Sequence, residues 1–101
     1  MLKTIVLIGM MGSGKTSVGK ELAKELGLTF IDIDEEIEKK YQMKIPKIFQ
    51  IKGEFFFREV EENISCKLIN GKPSIISIGG GGFLNKKIRR KIKINAISIW
   101  I

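Results

Sequence analysis

Gly9-Met10-Met11-Gly12-Ser13-Gly14-Lys15-Thr16 follows directly on the apolar run Ile5-Val6-Leu7-Ile8. The stretch has the spacing G-x-x-x-x-G-K-[ST], the Walker A pattern, at the place where a buried strand would turn into a helix. Phosphate chemistry explains the residue types. Glycines let the backbone curl so that successive N–H groups face anionic oxygens with no Cβ in the way. A helix that begins at Lys15 adds its positive N-terminal dipole. Lys15 would reach the outer phosphates, and the Thr16 hydroxyl would ligate Mg²⁺. The pattern points to a nucleoside triphosphate site.

Working outward, residues 4–8 read as a fully buried strand of a parallel sheet. Residues 15–26 read as a helix with Val18, Leu22 and Leu26 on its inner face and Gly27 as its stop. Residues 30–33 form a short second strand, and Asp34-Glu35-Glu36 open the next helix. Pro46 starts a helix that breaks near Gly53. A longer helix over 54–69 carries the apolar stripe Phe57, Val60, Ile64 and Leu68. Asn70-Gly71-Lys72-Pro73 is a turn. Ser74 to Ile78 is the third strand, followed by the glycine run Gly79 to Gly82. Residues 85–94 read as a helix and 96–101 as a fourth strand. Strands alternating with helices predict an α/β fold with a parallel sheet and right-handed crossovers.

The 101 residues predict one domain with an ordinary apolar fraction of 44%. No apolar run approaches the ~18 residues of a membrane span. The apolar start flows into the phosphate loop without a cleavage site, which argues against a signal peptide. The lone Cys66 allows no intramolecular disulfide, fits a reducing compartment and reads as a small apolar residue on a helix. Histidine is absent, so proton transfer falls to a carboxylate and any metal to oxygen ligands, which favours Mg²⁺. The net charge of +7 is uneven, because all acidic residues lie before Asn63. The run Lys86-Lys87-Ile88-Arg89-Arg90-Lys91-Ile92-Lys93 lacks interleaved aromatics, so it reads as a solvated helix face with Ile88 and Ile92 turned inward, not as a nucleic-acid or membrane patch.

Ligands of open α/β sheets bind beyond the carboxyl ends of the strands. Three chemically loaded elements fall there: the phosphate loop, the pair Asp32 and Asp34, and the glycine run. On an extended chain the two carboxylates would point the same way, one toward a metal and the other toward a hydroxyl proton. A helix N-cap is the competing account of Asp34. Arg58 is the first arginine of a chain that otherwise uses lysine up to Ile88, and its planar fork suits a carboxylate. Glu61 stands three residues on, so a surface salt bridge is the bland account of that pair.

Taken in order, Gly9 to Thr16, Asp32-Ile33-Asp34, Gly53-Glu54, Phe57-Arg58-Glu59-Val60-Glu61 and Gly79-Gly80-Gly81 resemble shikimate kinase over essentially the whole chain. The resemblance implies a P-loop NTPase fold, the three-layer αβα architecture of nucleoside-monophosphate-kinase-like enzymes. It implies transfer of the ATP γ-phosphate to the 3-hydroxyl of shikimate in the cytoplasm, by a monomer that needs no nucleic acid or membrane. Gly12, Ser13, Gly14, Lys15, Thr16 and Ser17 would wrap the ATP phosphates, with Lys15 catalytic. Thr16 and Asp32 would serve Mg²⁺. Asp34 would bind the shikimate hydroxyls and act as base. Arg58 would pair with the substrate carboxylate, Gly80 would offer it a backbone N–H, and Glu61, Gly79 and Gly81 would support them.

The family continues beyond its fourth strand with a lid arginine, a second substrate-binding arginine, a fifth strand and an adenine loop, none of which matches here. The chain therefore reads as an incomplete kinase domain, truncated after strand four, with an exposed apolar edge and little activity of its own. A related small-metabolite kinase, such as a gluconate kinase, and a non-catalytic nucleotide-binding fragment are the alternatives. The D-x-D and F-R-x-x-E set argues against the former.

Overall fold

The computed structural model describes residues 3–9 and 14–101. Met10, Met11, Gly12 and Ser13, the middle of the Walker A stretch, lie outside the described residues. Strands β1 (Thr4–Gly9), β2 (Thr29–Asp32), β3 (Ser74–Gly79) and β4 (Ala96–Trp100) form one parallel sheet in the order β2-β3-β1-β4. Helices α1 (Lys15–Leu26), α2 (Ile33–Tyr41), α3 (Ile45–Lys52), α4 (Glu54–Ile69), α5 (Gly80–Phe83) and α6 (Lys86–Asn95) connect them. The expected α/β architecture is present.

Alternation along β1 sends its side chains to two cores. Leu7, with Ile75 and Ala23, packs beneath α1, and Leu22, Leu26, Leu28 and Phe30 border them. Val6 and Ile8 join Ile76, Ile78, Ile37, Ile48, Phe57, Val60, Ile69, Ile88 and Ile92 on the opposite face, under α2, α3, α4 and α6. The register Ile5↔Ile75 through Gly9↔Gly79 sets the carboxyl ends of β1 and β3 side by side. That alignment places Gly9, where the Walker A stretch begins, next to Gly79, where the glycine run begins.

Three expectations need correction. The second strand ends at Asp32, and Ile33 is the first helical residue, buried at 1% exposure. The α1 stripe is rotated: Val18 is 45% exposed, and Gly19 and Ala23 are the buried residues. Along α4, Glu61, Ser65 and Ile69 are buried beside Phe57 and Val60, while Ile64 and Leu68 are half-buried. The glycine run, a connection with no element assigned from the sequence, turns into the short helix α5.

Asn85 caps α6 by accepting from Ile88 N at 3.0 Å, and Ile88 and Ile92 turn inward as expected. β4 is an edge strand paired with β1, and Ile97, Ile99 and Trp100 stand 51%, 39% and 63% exposed. The apolar edge anticipated from the sequence is therefore present in the described fold.

Gly19 explains the rotation of α1. A Cβ there would run into the ring edge of Phe30 and stand 3.0 Å from Leu7 Cδ1. The bare backbone lets α1 settle onto β1 and β2. Gly19→Ala is expected to lower stability by about 1–3 kcal/mol through overpacking, despite the gain in helix propensity. Adding Phe30→Leu should recover part of the loss, as read by denaturant midpoints. A Gly19→Ala protein more stable than the parent would contradict this packing.

Candidate functional site

The carboxyl ends of β1, β2 and β3 carry the chemically loaded side chains. Gly14 adopts φ +90°, the left-handed region, and immediately precedes α1 without a capping side chain. The first turn of α1 also holds no acidic residue, so no carboxylate within it offsets the positive end of the helix dipole. Lys15 opens that turn, and Thr16 and Ser17 follow, both exposed. The Lys15 ammonium turns back onto the strand ends, donating to Gly9 O at 2.7 Å and Ile78 O at 3.3 Å. It thus bridges the ends of β1 and β3.

Asp32 and Asp34 do not share an extended segment. Asp32 has extended backbone and caps α2, its Oδ1 accepting from Glu35 N at 3.1 Å. Asp34 lies inside the first turn of α2, so the capping role weighed for it belongs to Asp32. Asp34 remains open to solvent, yet partial desolvation, followed by the negative charges of Asp32 and Glu38, pushes its carboxyl above the ordinary carboxylate range. Lys15 and Arg58 pull in the opposite direction. Both cations and both carboxylates therefore act on this one group.

Arg58 lies one turn into α4. Its Nη1 donates to Glu61 Oε1 at 2.9 Å, and its guanidinium sits 5.4 Å from the Phe57 ring centroid. Glu61 is 3% exposed, so this is no surface pair. Burial raises the Glu61 carboxyl, and the Arg58 hydrogen bond opposes that shift. Gly81 completes the seat: a Cβ there would stand 2.6 Å from Arg58 Nη1. Gly79 ends β3 and Gly80 begins α5, with no close neighbour at either Cβ position.

Sequence reasoning missed two carboxylates that tie helices around the site. Glu62 Oε1 accepts from Asn85 Nδ2 at 3.0 Å, joining α4 to the start of α6 just after the glycine run. Glu38 Oε2 accepts from Ile45 N at 2.9 Å, joining α2 to α3. An asparagine directly before a helix is a capping signal that pointed to Asn85. Glu38 had no such local signal.

Among the described residues no group of three or more His, Cys, Asp or Glu could hold a metal ion by itself. No described helix is long and apolar enough to cross a membrane.

The family model for shikimate kinase matches residues 11–101. A shikimate kinase of Ruegeria pomeroyi is 48% identical over 99 residues, which are 98% of this chain and 51% of that protein. The solved structure of the Acinetobacter baumannii shikimate kinase in complex with shikimate superposes with a TM-score of 0.93 at 39% identity, over 99% of this chain and 56% of that one. A gluconokinase from Sinorhizobium meliloti shares the fold, with a TM-score of 0.62 at 19% identity over 97% of this chain and 56% of that one. The chain spans about half the length of the curated relatives it matches.

The raised Glu61 carboxyl makes stability depend on pH. A carboxyl whose folded pKa lies above its usual 4.5 holds its proton more tightly in the fold. Its effect on stability is therefore most favourable below 4.5 and declines as pH rises through the raised value. Glu61→Gln removes that titration. The melting temperature of Glu61→Gln minus that of the parent should become more positive between pH 4 and 7, by a few °C. A flat or falling difference would show that the Arg58 contact outweighs burial.

Proposed function

Because the chain belongs to the shikimate kinase family, we propose that the protein transfers the γ-phosphate of ATP to the 3-hydroxyl of shikimate, a step towards aromatic amino acids. The observation that carries the reading is the placement of three groups: Lys15 bonded to the ends of β1 and β3, Asp34 in the first turn of α2 directly after β2, and Arg58 held by Glu61 against Gly81 just after β3. Phosphoryl transfer needs a cation on the outer phosphate, an acceptor for the hydroxyl proton and a means of orienting the acceptor molecule. The three residues supply these in turn.

In this reading the N–H groups of Gly12, Ser13, Gly14, Lys15, Thr16 and Ser17 receive the ATP phosphates. Lys15 leaves the carbonyls of Gly9 and Ile78 for the γ-phosphate. Asp34 hydrogen-bonds the acceptor hydroxyl and takes its proton as the oxygen attacks phosphorus. Arg58 presents its fork to the shikimate carboxylate, held by Glu61 and given room by Gly81, and Gly80 adds a backbone N–H. Gly79 ends the strand that delivers this turn. A carboxylate-reading arginine favours shikimate over a gluconate-type acceptor.

Mg²⁺ fits the donors present. The Thr16 hydroxyl and the Asp32 oxygen not engaged in capping are hard oxygen ligands, with phosphates and water left to complete the shell. When bound, Mg²⁺ neutralises charge on the transferring group. We assign residues 1–101 to one kinase domain of a monomer, in the cytoplasm, with ATP and shikimate as its partners.

The deciding experiment is a coupled ADP-release assay with shikimate, with gluconate and without acceptor. It should be run on the 101-residue chain and on a chimera that continues after Ile101 with the C-terminal half of the Ruegeria pomeroyi relative. Turnover with shikimate alone is expected, at least in the chimera, and ADP release with gluconate or only without acceptor would overturn the reading.

Two variants assign roles within it. Asp34 does not cap α2, so Asp34→Asn should leave the melting temperature nearly unchanged while kcat falls by ~10²-fold or more. Preserved turnover would remove Asp34 as the base. Arg58→Lys keeps the charge but loses the fork, so KM for shikimate should rise about tenfold while KM for ATP stays constant. Equal changes in both constants would make the pair with Glu61 purely structural.

A further inference from the structure

Helix α3 begins without a capping side chain of its own. Lys44 stands at its N-cap and offers no acceptor, and Pro46 in the first turn has no N–H. Lys47 N and Ile48 N both reach Lys44 O, at 3.0 and 3.1 Å. That leaves Ile45 N as the donor without a partner in its own segment, and Glu38 Oε2 accepts from it at 2.9 Å. The same residue closes α2, because Gln42 N and Met43 N donate to Glu38 O. Gln42 there takes φ +53°, a left-handed conformation that side chains rarely adopt. Lys44 Nζ lies 3.8 Å from Glu38 Oε1. One residue thus ends α2 with its carbonyl and starts α3 with its carboxylate.

The two helices it joins carry different parts of the site. Asp34 lies one turn before Glu38 on α2, so the two share a helix face. α3 leads through Gly53 into α4 and Arg58, and Phe49 stacks on Phe57 at 4.8 Å between ring centroids. Tyr41 meets Phe56 edge-on at 5.4 Å at the α2 end. The Glu38–Ile45 bond is the polar link that sets where α3 starts relative to α2. We infer that Glu38 is a positioning residue for the acceptor: through Ile45 it fixes the α3–α4 segment, and with it Arg58, against Asp34. The inference rests on the reading of Asp34 and Arg58 as acceptor-binding groups.

The test compares Glu38→Ala, Glu38→Gln and the double variant Glu38→Ala with Lys44→Ser, in whichever of the chain and the chimera turns over. Gln keeps an acceptor oxygen for Ile45 N. Ser at position 44 gives α3 its own cap without rebuilding the link to α2. Glu38→Ala should raise KM for shikimate about tenfold or more with KM for ATP unchanged, since small misplacements at a site are costly. Glu38→Gln should return KM towards the parent value. The double variant should regain melting temperature but keep the raised KM.

An unchanged shikimate KM in Glu38→Ala, equal movement of both constants, or a KM restored by Lys44→Ser would each overturn positioning. Hydrogen exchange at the Ile45 amide, measured in both proteins without substrate, reads the bond itself. It should speed up in Glu38→Ala and remain slow in Glu38→Gln, and unchanged exchange in Glu38→Ala would also overturn the inference. Absence of transfer to shikimate in the unmutated proteins would instead overturn the functional reading, whatever the exchange result.

Discussion

The in-register parallel pairing of β1 with β3 is the constraint on which the site depends. It sets Gly9 against Gly79, so the first residues of the Walker A stretch and of the glycine run stand side by side at the carboxyl ends of their strands. A one-residue slip would turn Leu7 and Ile75 out of the core under α1 and the opposite set out of the other core. Both cores oppose that slip, since the residues between Val6 and Ile8 and between Ile75 and Ile78 are almost fully buried. The packing that stabilises the sheet therefore also sets the spacing between the ends of β1 and β3. Lys15 adds a direct tie by bonding the carbonyls at both strand ends.

Around those strand ends the surrounding helices are ordered by carboxylates placed at helix junctions. Asp32 caps α2, Glu38 caps α3 across a gap in sequence, and Glu62 holds Asn85, which caps α6. Asp32 and Glu38 offset orphaned N–H groups at a helix start, and Glu38 and Glu62 each bind one helix to another. Arg58 and Glu61 pair within α4 itself, the carboxylate buried and the guanidinium half-buried. Gly81 then lets the guanidinium lie against backbone where any side chain would displace it.

Much of this was legible in the sequence because it rests on local patterns. Helices over 15–26 and 54–69 follow from period and stop signals, and their bounds agree with the structure. Ile88 and Ile92 face inward as their spacing required. The Walker A stretch, the D-x-D pair and F-R-x-x-E identified the family that the comparisons show. What stayed hidden depends on close approach between distant segments. Gly19 admits the Phe30 ring, which rotates α1 away from its apparent stripe and leaves Val18 in solvent. Ile33 reads as strand by its β-branching, yet burial at the start of α2 outweighs that preference. Glu61 reads as a surface charge until α5 and β3 close over it. No sequence period records that.

The resting position of Lys15 carries an energetic consequence. Among the described residues its ammonium is held by two uncharged carbonyls and by no carboxylate hydrogen bond. In the proposed reading, an arriving nucleotide therefore exchanges two dipolar contacts and breaks no close ion pair of this side chain. The positive charge of Lys15, partly offset by the field of Asp34, still acts at a distance on diffusing anions. Encounter rates with a phosphate chain should then fall steeply with ionic strength, while the lifetime of the complex, governed by short contacts, responds far less.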